Sequence, residues 1–353
     1  MSLTTDVTKQ VQNLVRPQFG CDPELILSDK QGTVIGSEEV IPATGLGVPA
    51  YTNDPYGGQK IVRDGMQLEI HPTPNQCRAL LGNEIARIFK RLKETLNQEG
   101  ITLSNNTTIE LTKEELDKLS EQARVLGCTP SKNMYDSGAT INVGNDFRTR
   151  SAGGHIHINT RDTPGLYHVE PARLVKLLDV LVGNTSVLID RDPLAAERRK
   201  TYGRAGEFRT PSHGVEYRVL SNFWLRSYPL MSLEMGLCRL ACNILAQSLD
   251  SDAQGYRAQY NRNRYDYPPA TQQGQLPMPY CNLQGWIPET DLLADIDMNN
   301  IQKAINENDL DLAKENWQHV RKFIDVHVPK GDNGLDSVKL DNFDFFCEKV
   351  QAN

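Results

Sequence analysis

Four short segments of this chain alternate apolar and polar side chains with a period of two, the spacing that a strand shows when one face is covered and the other carries charge. In Gly154-His-Ile-His-Ile158 the imidazoles of His155 and His157 point one way, and Ile156 and Ile158 the other. Asp22 and Glu24 are two apart, as are Gln67, Glu69 and His71, and again Glu216 and Arg218. Solvent accounts for any one charged face, and a pair of structural, hydrogen-bonded histidines accounts for an isolated His-x-His. Four such faces rich in Glu, His and Arg, with hardly a lysine among them, are expected to line one polar site. Carboxylates mixed with imidazole suit a divalent ion of the Mg2+ or Mn2+ type, whereas zinc collects Cys and His at tight spacing.

Between these segments the apolar period changes to that of a helix. Residues 76–97 carry Leu80, Ile85, Ile88, Phe89 and Leu92 on one stripe, and 170–186 carry Leu174, Leu177, Leu178 and Leu181. A second long helix is expected over 227–249, one or two more over 297–327, and a helix start at Thr112, whose N-cap is completed by Glu115. Strands are expected at 24–27 and 33–36, joined as a hairpin by Ser28-Asp-Lys-Gln-Gly-Thr33, and over 61–71 as one strand stopped by Pro72 and Pro74. The Pro- and Gly-rich residues 42–58 are expected to form a mobile loop near the site, with irregular chain at 126–150 and 252–290. No solenoid-type repeat is present. The order of hairpins and long helices predicts an α+β fold with helices on one side of an antiparallel sheet, rather than a doubly wound one.

Composition bounds the function without naming it. With 39% hydrophobic and 24% charged residues, the chain is expected to bury a substantial core. A net charge of −7 argues against broad electrostatic attachment to nucleic acid or anionic membrane. No run of about 18 apolar residues stands out as a membrane span, and Met1–Gln10 lacks the apolar core of a signal peptide. The expectation is a cytoplasmic protein, with oligomeric state unassigned. Seven cysteines at 21, 77, 128, 238, 242, 281 and 347, without Cys-x-x-Cys spacing, read as buried thiols.

From Arg198 to Arg209 the chain reads Arg-Arg-Lys-Thr-Tyr-Gly-Arg-Ala-Gly-Glu-Phe-Arg, so Arg199, Arg204 and Arg209 precede the Glu216 strand and its Arg218. Forked guanidinium donors match phosphate oxygens, which makes this a candidate nucleotide or phosphoryl site, a solvated helix end being the alternative. Neither a Walker loop nor a dinucleotide fingerprint occurs.

Together, Phe19-Gly-Cys-Asp-Pro-Glu-Leu25, Asp64-Gly-x-x-x-Glu69, Arg150-Ser-Ala-Gly-Gly-His-Ile-His-Ile158, Arg199-x-x-Tyr-Gly-Arg-Ala-Gly-x-Phe-Arg209 and Val215-Glu-Tyr-Arg-Val-Leu-Ser-Asn-Phe-Trp224 resemble the phage-type carboxylate–amine ligases of type 2, within the glutamine synthetase-like amidoligases. The resemblance covers roughly residues 19–226 in the correct order. It implies a curved antiparallel sheet of glutamine synthetase-like type with helices on its outer face, over 1–290, and a C-terminal helical extension over 291–353. It further implies ATP and Mg2+ (or Mn2+), an acyl-phosphate intermediate, and small-molecule or peptide carboxylate and amine substrates. The metal ligands it implies are Asp22, Glu24, Glu69, His155 ahead of His157, and Glu216. Arg218, Arg204 and Glu216 would be catalytic, and Arg199, Arg204, Arg209 and Arg218 would hold ATP phosphates or the substrate carboxylate. The chain departs from the family's pattern at Gly127-Cys-Thr-Pro-Ser131, where a Gly-Cys-Asp-Pro-Asp element is expected. A phosphotransferase of guanidino-kinase-like type and a non-catalytic phage protein that retains the scaffold are the competing readings.

Overall fold

The computed structural model describes residues 15–40, 60–104, 106–124, 131–136, 148–167, 169–262 and 292–327. The stretch 42–58, Thr129, Cys128, Cys281 and Cys347 lie outside the described residues.

The chain enters through β1 (Phe19–Cys21), breaks at Asp22-Pro23, and continues as β2 (Glu24–Leu25), β3 (Leu27–Asp29) and β4 (Val34–Ile35). The hairpin expected from Ser28-Asp-Lys-Gln-Gly-Thr33 joins β3 to β4. The residues expected as one strand at 24–27 are split between two sheets. Residues 61–71 are likewise two strands, β5 (Lys60–Asp64) and β6 (Gln67–His71), folded back on each other at Gly65-Met66. The turn is marked by Asp64-Gly65, and Gly65 takes φ 56°, a conformation that glycine adopts without strain.

Helix α1 (Arg78–Gln98) follows, then β7 (Ile101–Leu103), β8 (Thr108–Glu110), α2 (Lys113–Lys118), α3 (Glu121–Arg124), β9 (Lys132–Asn133), β10 (Thr149–Ser151) and β11 (Ile156–Asn159). In α1, Ile88, Leu92 and Leu96 cover Leu25, Leu27, Ile61, Leu68, Ile70 and Ile101, which closes the apolar side of two small sheets. Each such fully buried side chain contributes roughly 1.5–3 kcal/mol. Leu80, counted on the helical stripe, is 56% exposed instead, while Leu81 is buried. The capping box at Thr112 and Glu115 forms as expected.

The helix expected at 170–186 is one continuous rod made of α4 (Pro171–Leu178), a π-helical segment (Asp179–Gly183) and α5 (Asn184–Ile189). After α6 (Ala195–Thr201), β12 (Glu207–Arg209) and β13 (Gly214–Tyr217), helix α7 runs Tyr228–Arg262, past the boundary that the polar composition of 252–290 indicated. Helices α8 (Met298–Glu307) and α9 (Leu310–His327) complete the described chain, and their Ile301, Ile305, Val320 and Ile324 join the main apolar core. Tyr228–Ala246 of α7 is long and apolar enough to cross a membrane by length and composition, which the sequence reading had missed. It is 83% buried inside the protein and forms the spine of the main core. Cys21, Cys238 and Cys242 are buried free thiols as expected, whereas Cys77 is exposed.

The sheets are open and antiparallel, so the fold is α+β. A five-stranded sheet has the order β1-β11-β13-β12-β9; beside it are β2-β6-β5, β4-β3-β7 and the pair β10-β8. One face of the five-stranded sheet presents Phe19, Ile156, Ile158, Phe208, Val215 and Tyr217 to the helical core. Its opposite face is polar.

Candidate active site

Register decides which polar residues meet. His157 is opposite Gly20 on one side and Glu216 on the other, and Glu216 is opposite Arg209, so His157, Glu216 and Arg209 form a row across three strands. In the adjoining sheet Glu24 is paired directly with Glu69, and Asp64 with Gln67, which places two carboxylates side by side. Asp22 sits at the break where the chain leaves the first sheet for the second. The two sheets are stitched there by Glu24 N donating to Gly153 O at 2.9 Å and Ile70 N to Pro23 O at 3.1 Å.

Asp22 stands between both imidazoles: Oδ1 is 3.2 Å from His155 Nδ1 and Oδ2 is 3.1 Å from His157 Nε2. Burial opposes its ionisation, yet the two histidines hold its carboxyl well below the usual range. Burial pulls the His157 imidazole down, but Asp22 outweighs it and the net shift is upward. Asp22, His157 and Glu216 each offer one ligand atom, all within 4.8 Å of one another. Asp22 Oδ1 and His157 Nε2 are buried and, although within ion-pair distance of partners, neither makes an aligned hydrogen bond.

His155, which precedes β11 rather than lying in it, is enclosed on both ring nitrogens. Its Nε2 meets Tyr202 Oη, and its Nδ1 lies 3.3 Å from Arg218 Nη1 and 3.6 Å from Glu216. Burial and Arg218 push its pKa down to about 4, so the ring is neutral at ordinary pH. Gly153 makes this enclosure possible, since a Cβ there would come within 2.7 Å of Tyr202 Oη and 2.9 Å of His155 Cε1. Asp22, His157 and Glu216 are thus a group close in space, and His155 adjoins it, with Nδ1 3.2 Å from Asp22 and 3.6 Å from Glu216.

Glu24 accepts from Gly153 N at 2.6 Å and from Tyr202 Oη at 3.1 Å. Burial and the neighbouring Asp64 carboxylate push its pKa up to about 8. Asp64 and Glu69 are also shifted up, chiefly by burial, Glu69 against the relief of a 2.7 Å contact with His71. Burial and mutual repulsion thus oppose full ionisation of this wall.

Arg218 bonds Glu216, donates to Ser131 Oγ at 2.9 Å through Nε and to Tyr202 Oη at 3.2 Å. Arg209 lies 3.6 Å from Glu216. Arg199 is elsewhere: its guanidinium donates to Val219 O at 2.8 Å, to Gly203 O and to Ser186 Oγ at 3.3 Å. Arg198 beside it donates to Val219 O and Leu220 O, both at 2.8 Å. The two are main-chain braces beneath the site, and the expectation that Arg199 faces phosphate is replaced by this role. Arg204 is half-buried on the turn before β12, and no hydrogen bond or ion pair among the described residues ties it to the group.

Tyr202 and His213 carry no expectation from the sequence, while His71 is expected only on a polar strand face and Ser131 only as a departure from the family's pattern. Tyr202 lay inside the quoted arginine motif, but nothing in its spacing shows that one hydroxyl reaches Glu24, His155 and Arg218. His213 lies in a turn, where no period exists to mark it, and its Nε2 is 3.0 Å from His157 Nδ1.

Residues 115–269 match the model of the phage phiEco32-like COOH.NH2 ligase-type 2 family, the family that the motifs resemble. The family's name denotes a carboxylate–amine ligase. No curated protein matches the chain.

Proposed function

We propose that this chain is an ATP-dependent carboxylate–amine ligase of glutamine synthetase-like type, working at a divalent-metal site on the polar face of its sheets. The observation that carries the reading is the convergence of Asp22, His157 and Glu216 to within 4.8 Å, beside the Glu24–Glu69 pair and facing Arg209 and Arg218.

The residues fit Mg2+ or Mn2+. The donor set is carboxylate oxygen with one imidazole nitrogen, and Asp22 Oδ1 and His157 Nε2 are buried atoms lacking an aligned partner. Asp22, His157 and Glu216 would hold one cation, and Glu24 and Glu69, with Asp64, a second. His155 serves instead as the neutral post that orients Asp22, Tyr202 and Arg218. Bound there, the cations would neutralise phosphate charge and polarise the transferring phosphoryl group.

The reaction consistent with this wall moves the γ-phosphoryl group of ATP to a substrate carboxylate, forming one P–O bond and breaking another with release of ADP. An amine then attacks the activated carbonyl carbon, phosphate departs and the amine gives up a proton. Arg218 is held in place by Glu216, Ser131 and Tyr202 while its charge remains available to oxygens that gain negative charge. Arg209 supports the same role from the neighbouring strand.

The test is ATP consumption by the purified protein with Mg2+, requiring both a carboxylate and an amine and yielding an amide. A phosphorylated product formed without an amine would assign the chain to the phosphotransferase reading. Calorimetry that finds neither Mn2+ nor ATP bound would sink the ligase reading.

A further inference from the structure

We propose that His213 is a positioning residue for His157: it accepts the Nδ1 proton of His157 and so leaves the Nε2 lone pair of His157 facing Asp22 and Glu216 for a divalent cation. The inference rests on the metal reading of the preceding section.

A neutral imidazole has one N–H and one lone pair, and a metal can take only the nitrogen with the lone pair. His157 has a partner at each nitrogen. Its Nε2 is 3.1 Å from Asp22 Oδ2, and its Nδ1 is 3.0 Å from His213 Nε2. A proton on Nε2 would take up the lone pair that a cation needs and close the ligand triad. With the proton on Nδ1, it needs an acceptor, and the only hydrogen-bond partner of that nitrogen among the described residues is His213 Nε2. Metal-bound histidines characteristically give their second N–H to such a partner, which fixes tautomer and ring orientation.

The chain invests in holding His213 there. Its carbonyl accepts from Thr160 N at 3.1 Å and Arg161 N at 3.2 Å, so the turn before β13 is tied to the end of the strand that bears His157. Gly214 follows with φ 144°, and a Cβ at that position would lie 2.6 Å from Ile158 O and 2.7 Å from Thr160 N. Only glycine permits this approach. The two rings lie 5.1 Å apart at 42°, a hydrogen-bonding rather than a stacked arrangement.

The experiment measures Mn2+ affinity by calorimetry for wild type, H213L and H213Q, and reads the imidazole 15N shifts of His157 in Mg2+-loaded protein. H213L, which has no acceptor, is expected to weaken Mn2+ binding about 10- to 100-fold. H213Q, whose side-chain oxygen can accept, is expected to recover most of that loss, and wild-type His157 to carry its proton on Nδ1 when Mg2+ is bound. Folding is checked by thermal unfolding, and the 15N spectrum of wild type decides even where H213L fails to fold. Wild-type affinity in folded H213L, or a proton on Nε2 of His157 in the loaded protein, overturns the inference and leaves the metal reading standing. A wild-type protein that binds neither ion overturns both.

Discussion

Two polar regions of the molecule meet at Tyr202, and they are built on different terms. Beneath the site, Arg198 and Arg199 spend their donors on the carbonyls of Val219, Leu220 and Gly203 and on Ser186. On the polar face, burial and then the crowding of Asp22, Glu24, Asp64 and Glu69 push three of the four carboxyls up, and Asp22 Oδ1 and His157 Nε2 lack aligned partners. In the first region the atoms without a hydrogen bond are Arg198 Nε and Arg199 Nε, which can only donate; in the second they are a carboxylate oxygen and an imidazole nitrogen, atom types that can ligate a cation. Charge density in the sequence did not separate them, and the chemistry of the atoms left without a partner does.

The largest effect is expected where the polar face is cut. Glu216→Ala should lower ATP-dependent amide formation by about 10²–10³-fold and abolish Mn2+ binding in calorimetry. A Glu216→Ala protein that still binds Mn2+ like wild type would remove Glu216 from the metal set. The arginine region should respond in stability instead. Arg199→Leu leaves several buried acceptors bare and should cost about 3 kcal/mol or more in urea unfolding. If it kept full stability and lost ATP binding, the contrast between the two regions would collapse.

Supplying a cation should stabilise the protein. Mn2+ at a hundred times its Kd is expected to add about 2.7 kcal/mol to unfolding free energy, visible as a higher Tm. No shift at saturating Mn2+ would mean that the carboxylate wall is not completed by metal.

Asp179 offers a smaller test from the core side. Its Oδ1 accepts from Tyr217 Oη at 2.7 Å, and burial raises its pKa from 3.8 to about 7. The unfolded chain releases this proton near 3.8 and the folded chain keeps it to about 7. Stability is therefore full below the lower value and falls as pH rises through the upper, by at most about 1.4 kcal/mol per pH unit. Asp179→Asn should flatten that fall in denaturation curves taken across the range; an unchanged slope would show that Asp179 ionises normally. The smallest effect is expected from Ser131→Ala, about 0.5–1.5 kcal/mol, because Arg218 keeps Glu216 and Tyr202. A collapse of turnover in that variant would place Ser131 in the chemistry.

Much of this was legible before any coordinates. The period-two segments became strands, α1 and the rod over 171–189 followed their apolar stripes, and the capping box formed. The site residues Asp22, Glu24, Glu69, His157, Glu216, Arg209 and Arg218 do converge. The errors have a common form. Residues 61–71 read as one strand because Gln67–His71 alternates cleanly, although Ile61-Val62 and Arg63-Asp64-Gly65 break the period and Asp64-Gly65 is a turn pair. Leu80 matched the helical stripe but sits where no neighbour covers it. Arg199 shared its motif with Arg209, yet lies on a helix turned toward carbonyls rather than on a strand facing the site.

Local periodicity depends on nearest neighbours along the chain, so the sequence by itself determined the elements, their apolar faces and the residue types available for chemistry. Register and packing depend on residues far apart in sequence, and only the tertiary structure decided how those residues are used. It joined Asp22 to His155 and His157 across more than a hundred residues and enclosed His155 between Tyr202 and Arg218. It also gave the two imidazoles different surroundings, His157 on the half-buried side beside His213 and His155 fully enclosed. The physical reason is that a hydrogen bond has one direction and a fixed reach, and which of two identical side chains finds a partner is settled by where the neighbouring strand places it.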